Sequence, residues 1–323
     1  MLPIPWDLTT SYHRGTNKGP EAILQASTQL DLYYAPAPAL WQHAPFMLPI
    51  NAHWLEQNQA WSKQAQHIIH STEQHGQLTE ALEQQLEQIN AIHQQLTAWI
   101  HKQTQDLLEQ NKIPGLVGGE HSVSLRLLQS LAQNYSAFGI LHIDAHLDLR
   151  KAYMGFKQSH ASIMYNALAL PQITKLVSVA VRDYCADEIN LVEQQSPRIE
   201  LFTDMDLHQR LYQGQNWNTI CTEIIAALPQ HVYLSFDIDG LSPAYCPDTG
   251  TPVPGGISYN QAVYLIRKLA VSGKQLIGFD LVEVAPGQQH DDKINDYDAN
   301  VGARILWELT GCAYLSNEIS GKR

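Results

Sequence analysis

Short apolar runs alternate with helical patterns from about residue 113 to residue 281, and this alternation leaves the chain few possible folds. The runs at 176–181 and 276–279 are almost continuously apolar, with no alternation of polar and apolar positions. Strands of this kind are typical of a parallel sheet that helices cover on both faces. We therefore predict an α/β fold with a mostly parallel central sheet.

The predicted elements extend over most of the chain. Strands are predicted at 113–117, 137–143, 174–181, 199–203, 231–236 and 275–281. Helices are predicted near 76–110, 122–134, 160–168, 184–194, 215–228 and 258–272, and a further one begins near Pro20, which suits a first helical turn. Residues 36–75 have no clear pattern. Because no internal repeat or linker is visible, we predict a single domain over 1–323.

Acidic and imidazole side chains directly follow three of the predicted strands. The carboxyl ends of parallel strands meet at one edge of a sheet, where open α/β folds place their sites. Alternation along an extended chain also puts Asp144, His146 and Asp148 on one face. Converging carboxylates would repel each other without a cation, so we predict a metal site. Its candidate ligands are His121, Asp144, His146, Asp148, Asp237 and Asp239.

Four carboxylates and two imidazoles without a thiolate suit Mn²⁺, and they leave Zn²⁺, Fe²⁺ and Ni²⁺ open. Six ligands suffice for two cations if some carboxylates bridge them. Two such cations would deprotonate a shared water near neutral pH and so supply a nucleophile.

Composition excludes several other classes of function. The formal net charge is −12 and no Lys/Arg run occurs, so neither nucleic acid nor an anionic membrane is an expected partner. The four cysteines are far apart and form no close pair, which favours a reducing compartment. The chain contains no run of 18 apolar residues and no leader-like N-terminus, so we expect a cytoplasmic protein.

Three segments resemble the signature motifs of the ureohydrolase superfamily, which includes arginase, agmatinase, guanidinobutyrase and formimidoylglutamase. They are 118–122 (GGEHS), 144–148 (DAHLD) and 235–243 (SFDIDGLSP). Two further segments match, 249–256 and 282–286, and 11–23 resembles the agmatinase-like branch in particular. The resemblance extends from about residue 5 to 310. It implies an arginase-like three-layer α/β/α sandwich, a urea-releasing hydrolase of a linear amidine, and a homo-oligomer, either a trimer or a hexamer.

The resemblance also implies roles for the metal ligands. His121, Asp144, Asp148 and Asp237 would hold one Mn²⁺ of each subunit. Asp144, His146, Asp237 and Asp239 would hold a second, so that two carboxylates bridge the pair.

Three residues acquire catalytic or substrate-binding roles in the same way. Asp148 would accept the proton of the nucleophile. Glu283 would pair with the substrate guanidinium, for which a carboxylate is well suited. His160 would relay protons or touch the substrate. A salt-bridged Glu283 and an incidental loop His160 are the alternative interpretations.

The sequence departs from the family pattern at several places, two of which bear on the site. Glu120 stands where most members have Asp, and we expect it to orient the His121 ring. After Asp148 the loop lacks the Asn and Ser with which arginases recognise an amino-acid head group. It carries Arg150 and Lys151 instead, which would repel a cationic tail and attract a carboxylate if they face the site. Arg150 is therefore a candidate substrate-binding residue.

The sequence is consequently compatible with two kinds of substrate. One is agmatine or a related guanidino compound, as the agmatinase-like N-terminus indicates. The other is an acidic-tailed substrate of the formimidoylglutamase or guanidinobutyrase kind, unless both loop charges point to solvent. A non-catalytic family member is the alternative from another class. A deacetylase shares the general fold only by analogy, and the doubled Asp237 and Asp239 argue against it.

Overall fold

A computed structural model describes residues 1–43, 45–287 and 297–319. Within these residues, seven strands form one sheet in which every neighbouring pair is parallel. The sheet order is β1-β2-β7-β6-β3-β4-β5. The bounds are β1 Leu2–Ile4, β2 Gly115–Gly118, β3 Phe138–Ile143, β4 Ile173–Val179, β5 Ile199–Phe202, β6 His231–Asp237 and β7 Gln275–Val282.

Ten α-helices accompany the sheet in the same residues. They are α1 Gly19–Ala26, α2 Ala52–His75, α3 Glu80–Glu109, α4 Leu125–Asn134, α5 Ile163–Leu168, α6 Ala186–Gln194, α7 Asp204–Tyr212, α8 Trp217–Ala227, α9 Tyr259–Ala270 and α10 Tyr297–Ile319. All six predicted strands are present, and so are the helices predicted near Pro20 and over 122–134, 160–168, 184–194, 215–228 and 258–272. Helix α7 was not predicted. None of the described helices combines the length and apolarity that a membrane crossing requires.

The helix predicted at 76–110 begins later than expected, because Gly76 ends one helix before the next begins. Gly76 has a φ of 67°, the left-handed conformation that commonly follows a helix C-terminus. The hydroxyl of Thr79 then accepts a hydrogen bond from the backbone N–H of Leu82 and starts α3. Helix α2 lies in the stretch 36–75, which the pattern left unassigned.

Two apolar cores pack against the two faces of the sheet and give the predicted three layers. One core unites the sheet with α1 and with α7 to α10, through residues such as Ile23, Leu265 and Ile305. The other unites it with α2 to α5, through residues such as Ile68 and Leu96. Strand β7 is buried at all eight positions, as expected for a strand that lies inside a covered sheet.

The strand order brings the candidate site residues to one edge. Strands β2, β7, β6 and β3 are consecutive in the sheet, and the carboxyl end of each one leads directly into a candidate site residue. The last strand in the sequence, β7, lies between β2 and β6.

Candidate metal centre and active-site cleft

The loop after β2 is held against the N-terminal segment, and this contact fixes the position of His121. The backbone N–H of Gly119 donates to the carbonyl of Ile4, and that of Glu120 donates to the carbonyl of Trp6. A Cβ at Gly119 would lie 1.9 Å from the Trp6 oxygen, so only glycine permits this approach. His121 then begins a short 3₁₀ turn, and its side chain is buried.

The candidate ligands meet in two groups that share Asp144. In one group the ligand atoms of His121, His142, Asp144 and Asp148 all lie within 4.8 Å of one another. In the other group those of Asp144, His146 and Asp239 do the same. Asp237 belongs to neither group by this measure, but its Oδ2 lies 3.5 Å from Nδ1 of His121. The fold therefore brings all six predicted ligands together.

The distances around the two imidazoles are short. Nδ1 of His121 lies 3.1 Å from Oδ2 of Asp148 and 3.2 Å from Oδ2 of Asp144. Nδ1 of His146 lies 3.1 Å from Oδ2 of Asp239 and 3.4 Å from Oδ1 of Asp144. Asp144 thus offers one oxygen to each side.

The tautomer of His121 follows from the groups behind its ring. Ser235 Oγ lies 3.0 Å from both carboxylate oxygens of Asp280, to which it donates. The same oxygen lies 2.8 Å from Nε2 of His121, so it accepts the Nε2–H. Nδ1 is left with a lone pair that is buried, has no hydrogen-bond partner in the described parts of the chain, and faces carboxylate oxygens. A lone pair among acceptors is unfavourable without a cation, and it is the arrangement that a metal ligand requires.

Backbone donors hold the carboxylates in place. Oδ1 of Asp144 accepts the His146 N–H at 2.6 Å, and Oδ1 of Asp237 accepts the Asp239 N–H at 2.8 Å. Oδ1 of Asp239 accepts the Ala145 N–H at 3.0 Å, which joins the loop after β3 to the loop after β6. Each of these carboxylates keeps its second oxygen, Oδ2, within 3.5 Å of an imidazole nitrogen.

The pKa values of the cluster indicate an excess of negative charge. Burial and then the charge of Asp144 raise the pKa of Asp148 to about 6. Burial, with Asp239 and Asp144, raises the pKa of Asp237 well above its usual range. Burial lowers the pKa of His121, but contacts with three carboxylates outweigh it and raise the pKa well above the ordinary value. Such a cluster binds either protons or a cation, so its donor set fits a metal.

His142 lies beside the candidate metal ligands, although the sequence analysis did not select it. It is a residue of the buried strand β3, and the analysis counted it only as part of that strand. Its Nε2 lies 2.8 Å from Oδ2 of Asp144, and its Nδ1 lies 3.2 Å from Oγ of Ser178. His142 lies two residues before Asp144 in an extended chain, so both side chains are on one face of the strand. This spacing is the sequence signal that could have identified His142.

The expectation for Glu120 is wrong. Ser235 rather than Glu120 contacts the ring of His121. The carboxylate of Glu120 accepts hydrogen bonds from Thr9, Thr10 and Ser122 instead. Burial raises its pKa to about 7, against the opposing effect of the bonds from Ser122 and Thr9.

Glu283 lies behind the ligands. It is 4% exposed, and its Oε1 accepts the backbone N–H of His121 at 2.8 Å. Its own N–H donates to the carbonyl of Gly119 at 2.9 Å. The side chain does not line the cleft described next.

A small cleft of about 120 Å³ opens over His146 and Asp148. Its other lining residues are Ser11, Arg150, Tyr153, His160, Ala161, Asp183, Glu188 and Thr251. His160 is partly buried, and burial followed by the charge of His146 lowers its pKa to about 4. The predicted residues His160 and Arg150 therefore line the same cleft as two of the candidate ligands.

Arg150 faces this cleft, whereas Lys151 is exposed. The guanidinium carbon of Arg150 lies 4.7 Å from the centre of the Tyr153 ring. Its Nε lies 4.0 Å from Oε2 of the buried Glu188. The positive charge is thus balanced by a neighbouring negative one. Asp183, also at the cleft, has a side chain that is 69% exposed and lies 4.0 Å from Nε2 of His146.

Two site residues have an unusual backbone. Asp148 has a φ of 54° and Glu283 a φ of 62°, in the left-handed region that residues other than glycine rarely adopt. Such conformations cost roughly 1–3 kcal/mol each and persist where the surrounding structure imposes them. The strain coincides with two of the three residues predicted to act on the substrate.

Comparison with known proteins agrees with these features. The sequence profile of the Arginase family matches residues 1–311. N(1)-aminopropylagmatine ureohydrolase of Thermus thermophilus is 31% identical over 325 residues, which cover 99% of this chain and 93% of the relative. Agmatinase of Bacillus subtilis is 30% identical over 210 residues, covering 65% of this chain and 67% of the relative.

A solved structure has the same fold. The crystal structure of a hypothetical agmatinase from Burkholderia thailandensis superposes with a TM-score of 0.70 at 25% identity, covering 100% of this chain and 86% of that one. The predicted ureohydrolase resemblance, the three-layer fold and the class of hydrolase acting on C–N bonds in linear amidines are thereby confirmed. The chain belongs to the Arginase family.

Proposed function

We propose that the protein is a binuclear, manganese-dependent ureohydrolase that releases urea from a linear guanidino compound with a cationic tail. The observation that supports this proposal is the pair of ligand groups that share Asp144. His121, Asp144, Asp148 and Asp237 would hold one metal ion, and Asp144, His146, Asp237 and Asp239 would hold the other. Bound metal would supply Lewis acidity and an acidified water for attack on the guanidine carbon.

The residues of the chain have distinct tasks in this proposal. Asp148 would hold a metal ion in this proposal and also lines the cleft, so its carboxylate can accept the proton of the nucleophile and pass it on. His160 lines the cleft and has a low pKa, so it is neutral and can exchange a proton with the leaving amine. Glu283 stays a predicted partner of the substrate guanidinium, although its Oε1 accepts the backbone N–H of His121 and its side chain does not line the cleft of this structure.

The charges at the cleft favour a cationic tail. Arg150 lies against Tyr153 and near Glu188, so its charge is compensated within the protein. The carboxylate of Asp183 is exposed and is free to meet an ammonium group that enters from solvent. A relative that is similar over 99% of this chain bears the name N(1)-aminopropylagmatine ureohydrolase, which indicates a substrate with amine groups beyond its guanidine.

One assay tests the proposal and separates its alternatives. Mn²⁺-loaded protein is incubated with agmatine, N(1)-aminopropylagmatine, 4-guanidinobutyrate, arginine, guanidine and formiminoglutamate, and urea or formamide is measured. We expect urea from the two amine-tailed compounds, and loss of both metal and turnover in Asp237→Asn. Preference for 4-guanidinobutyrate or formiminoglutamate would establish the acidic-tailed alternative. A metal-free, inactive protein would leave the non-catalytic alternative. The homo-oligomer, the cytoplasmic location and the single domain stay predictions.

A further inference from the structure

We propose that Glu120 is a positioning residue for His160. It acts through the hydroxyl of Thr9 and holds the His160 ring in the tautomer that is protonated at Nδ1. Nε2 is then the nitrogen that exchanges protons in the cleft. The catalytic meaning of this arrangement rests on the proposed function, in which His160 exchanges a proton with the leaving amine.

The argument begins with the surroundings of Glu120. This residue is 0% exposed, and its carboxylate is an acceptor for four donors. Oε2 accepts the Thr9 N–H at 2.7 Å, and Oε1 accepts the Thr9 hydroxyl at 2.8 Å. Ser122 Oγ donates to Oε1 at 2.6 Å, and Thr10 Oγ1 donates to Oε2 at 3.3 Å. The hydroxyl group of Thr9 has a single hydrogen, and it is donated to Oε1 of Glu120.

The hydroxyl oxygen of Thr9 therefore faces His160 with lone pairs only. It accepts the backbone N–H of His160 at 3.0 Å. The same oxygen lies 3.4 Å from Nδ1 of the ring. An unprotonated Nδ1 would place a lone pair against a lone pair, whereas Nδ1–H makes this contact favourable. Ser159 Oγ also lies 3.4 Å from Nδ1, and its hydroxyl group can accept the same hydrogen.

The opposite ring nitrogen is left as a base. Nε2 of His160 lies 3.4 Å from Oγ of Ser11, a residue of the cleft wall. With the hydrogen on Nδ1, Nε2 has a free lone pair. This lone pair lies on the side of the ring that faces Ser11, in the cleft that His146 and Asp148 also line. A chain of hydrogen bonds thus links Glu120, Thr9 and His160, and the carboxylate of Glu120 sets its direction.

The length of the Glu120 side chain is part of the argument. Its two oxygens reach both the N–H and the hydroxyl of Thr9. An aspartate, shorter by one bond of about 1.5 Å, would withdraw from at least one of them. Glutamate in place of the usual aspartate therefore allows the carboxylate to contact both donors of Thr9.

The decisive variant is Glu120→Gln, because an amide can reverse the direction. The Thr9 N–H must donate, so the amide oxygen takes the place of Oε2 and the NH₂ group takes the place of Oε1. The Thr9 hydroxyl then accepts from that NH₂ group, and its own hydrogen turns towards Nδ1 of His160. We expect the His160 tautomer to invert to Nε2–H. Thr9→Val removes the link and should give a mixture, whereas Thr9→Ser should keep the wild-type tautomer. Thr10→Val is the matched control, since Thr10 donates to Glu120 but makes no hydrogen bond to His160 within the described residues.

The readout is the pair of ¹⁵N resonances of His160 in the full chain loaded with diamagnetic Zn²⁺, assigned by their loss in His160→Asn. Circular dichroism checks that each variant is folded. The proposal is overturned if wild-type His160 carries its hydrogen on Nε2, or if Glu120→Gln and Thr9→Val both leave the tautomer unchanged. In turnover, we expect kcat to fall about tenfold in Thr9→Val and Glu120→Gln with KM within twofold, a part of the 10²–10⁴ that a proton-transfer group contributes. If wild type releases no urea from any guanidino compound, the proposed function fails, while the tautomer is still decided by the spectra.

Discussion

Ser235→Ala is the change that tests most directly whether His121 is prepared for metal binding by the groups behind it. Ser235 Oγ links Nε2 of His121, at 2.8 Å, to the buried carboxylate of Asp280, at 3.0 Å. Alanine removes the acceptor of the Nε2–H without adding bulk. The ring then loses the contact that keeps its hydrogen away from Nδ1, and Nδ1 can acquire a proton that competes with the metal.

The expected magnitude follows from what the substitution leaves in place. Asp280 keeps the Tyr233 hydroxyl at 2.6 Å and the Phe236 N–H at 3.1 Å, so it is not left without donors. The cost in folding stability should therefore stay near 1 kcal/mol, the net value of one hydrogen bond. Loss of a group that orients a metal-binding histidine typically weakens affinity by about 10- to 100-fold, or about 1.4–2.8 kcal/mol.

The measurement is the dissociation constant of Mn²⁺, obtained by competition with a chelator, together with kcat at saturating Mn²⁺. We expect weaker binding with kcat largely restored when metal is in excess. Ser130→Ala is the control, because Ser130 is also fully buried and contacts a histidine, His101, outside the site. An Mn²⁺ affinity of Ser235→Ala within twofold of wild type would refute the assigned tautomer and the role of Ser235.

Two further outcomes are expected. Asp183→Asn should raise KM for agmatine about 1.4- to fivefold, the range for an exposed ion pair of roughly 0.2–1 kcal/mol. It should not change KM for guanidine, which has no tail, and equal effects on both compounds would remove Asp183 from tail recognition. Metal-free protein should lose thermal stability as the pH rises from about 4 to 7. The pKa of Asp148 is about 6 in the folded protein and about 3.9 in an unfolded chain. The protonated carboxyl therefore favours folding, and this contribution is lost as the pH rises through 6. Added Mn²⁺ should reverse this trend, since deprotonated ligands bind the cation. Scanning calorimetry at several pH values, with and without metal, measures the stability in both states. A metal-free protein that is most stable at pH 7 would contradict the reasoning.

The sequence predicted the sheet well where strands were long and continuously apolar. Strand β1 was not predicted because it has only three residues, one of them Pro3. Helix α2 was not predicted because its buried positions are few and include polar residues such as Asn58 and Ser71. Helix α10 was not assigned either, although most of it is apolar and buried between the sheet and α1.

The cluster of His and Asp side chains was predictable because the carboxyl ends of parallel strands meet at one edge of the sheet. Contacts between distant segments were not predictable from local patterns. Glu120 contacts Thr9 across 111 positions of sequence, so no spacing rule indicated that pair. The orientation of Arg150 depended on Tyr153 and Glu188, whose relative positions are set only by tertiary packing.

The place of β7 between β2 and β6 has a consequence for how the protein matures. His121 follows β2 and Asp237 follows β6, and these two strands are joined only through β7, which lies between them and comes later in the sequence than both. A growing polypeptide that has emerged only as far as β6 can pair β3 with β6, but it has no central strand to bring His121 beside Asp144. The His121 side of the candidate metal site can therefore form only after β7 has been synthesised.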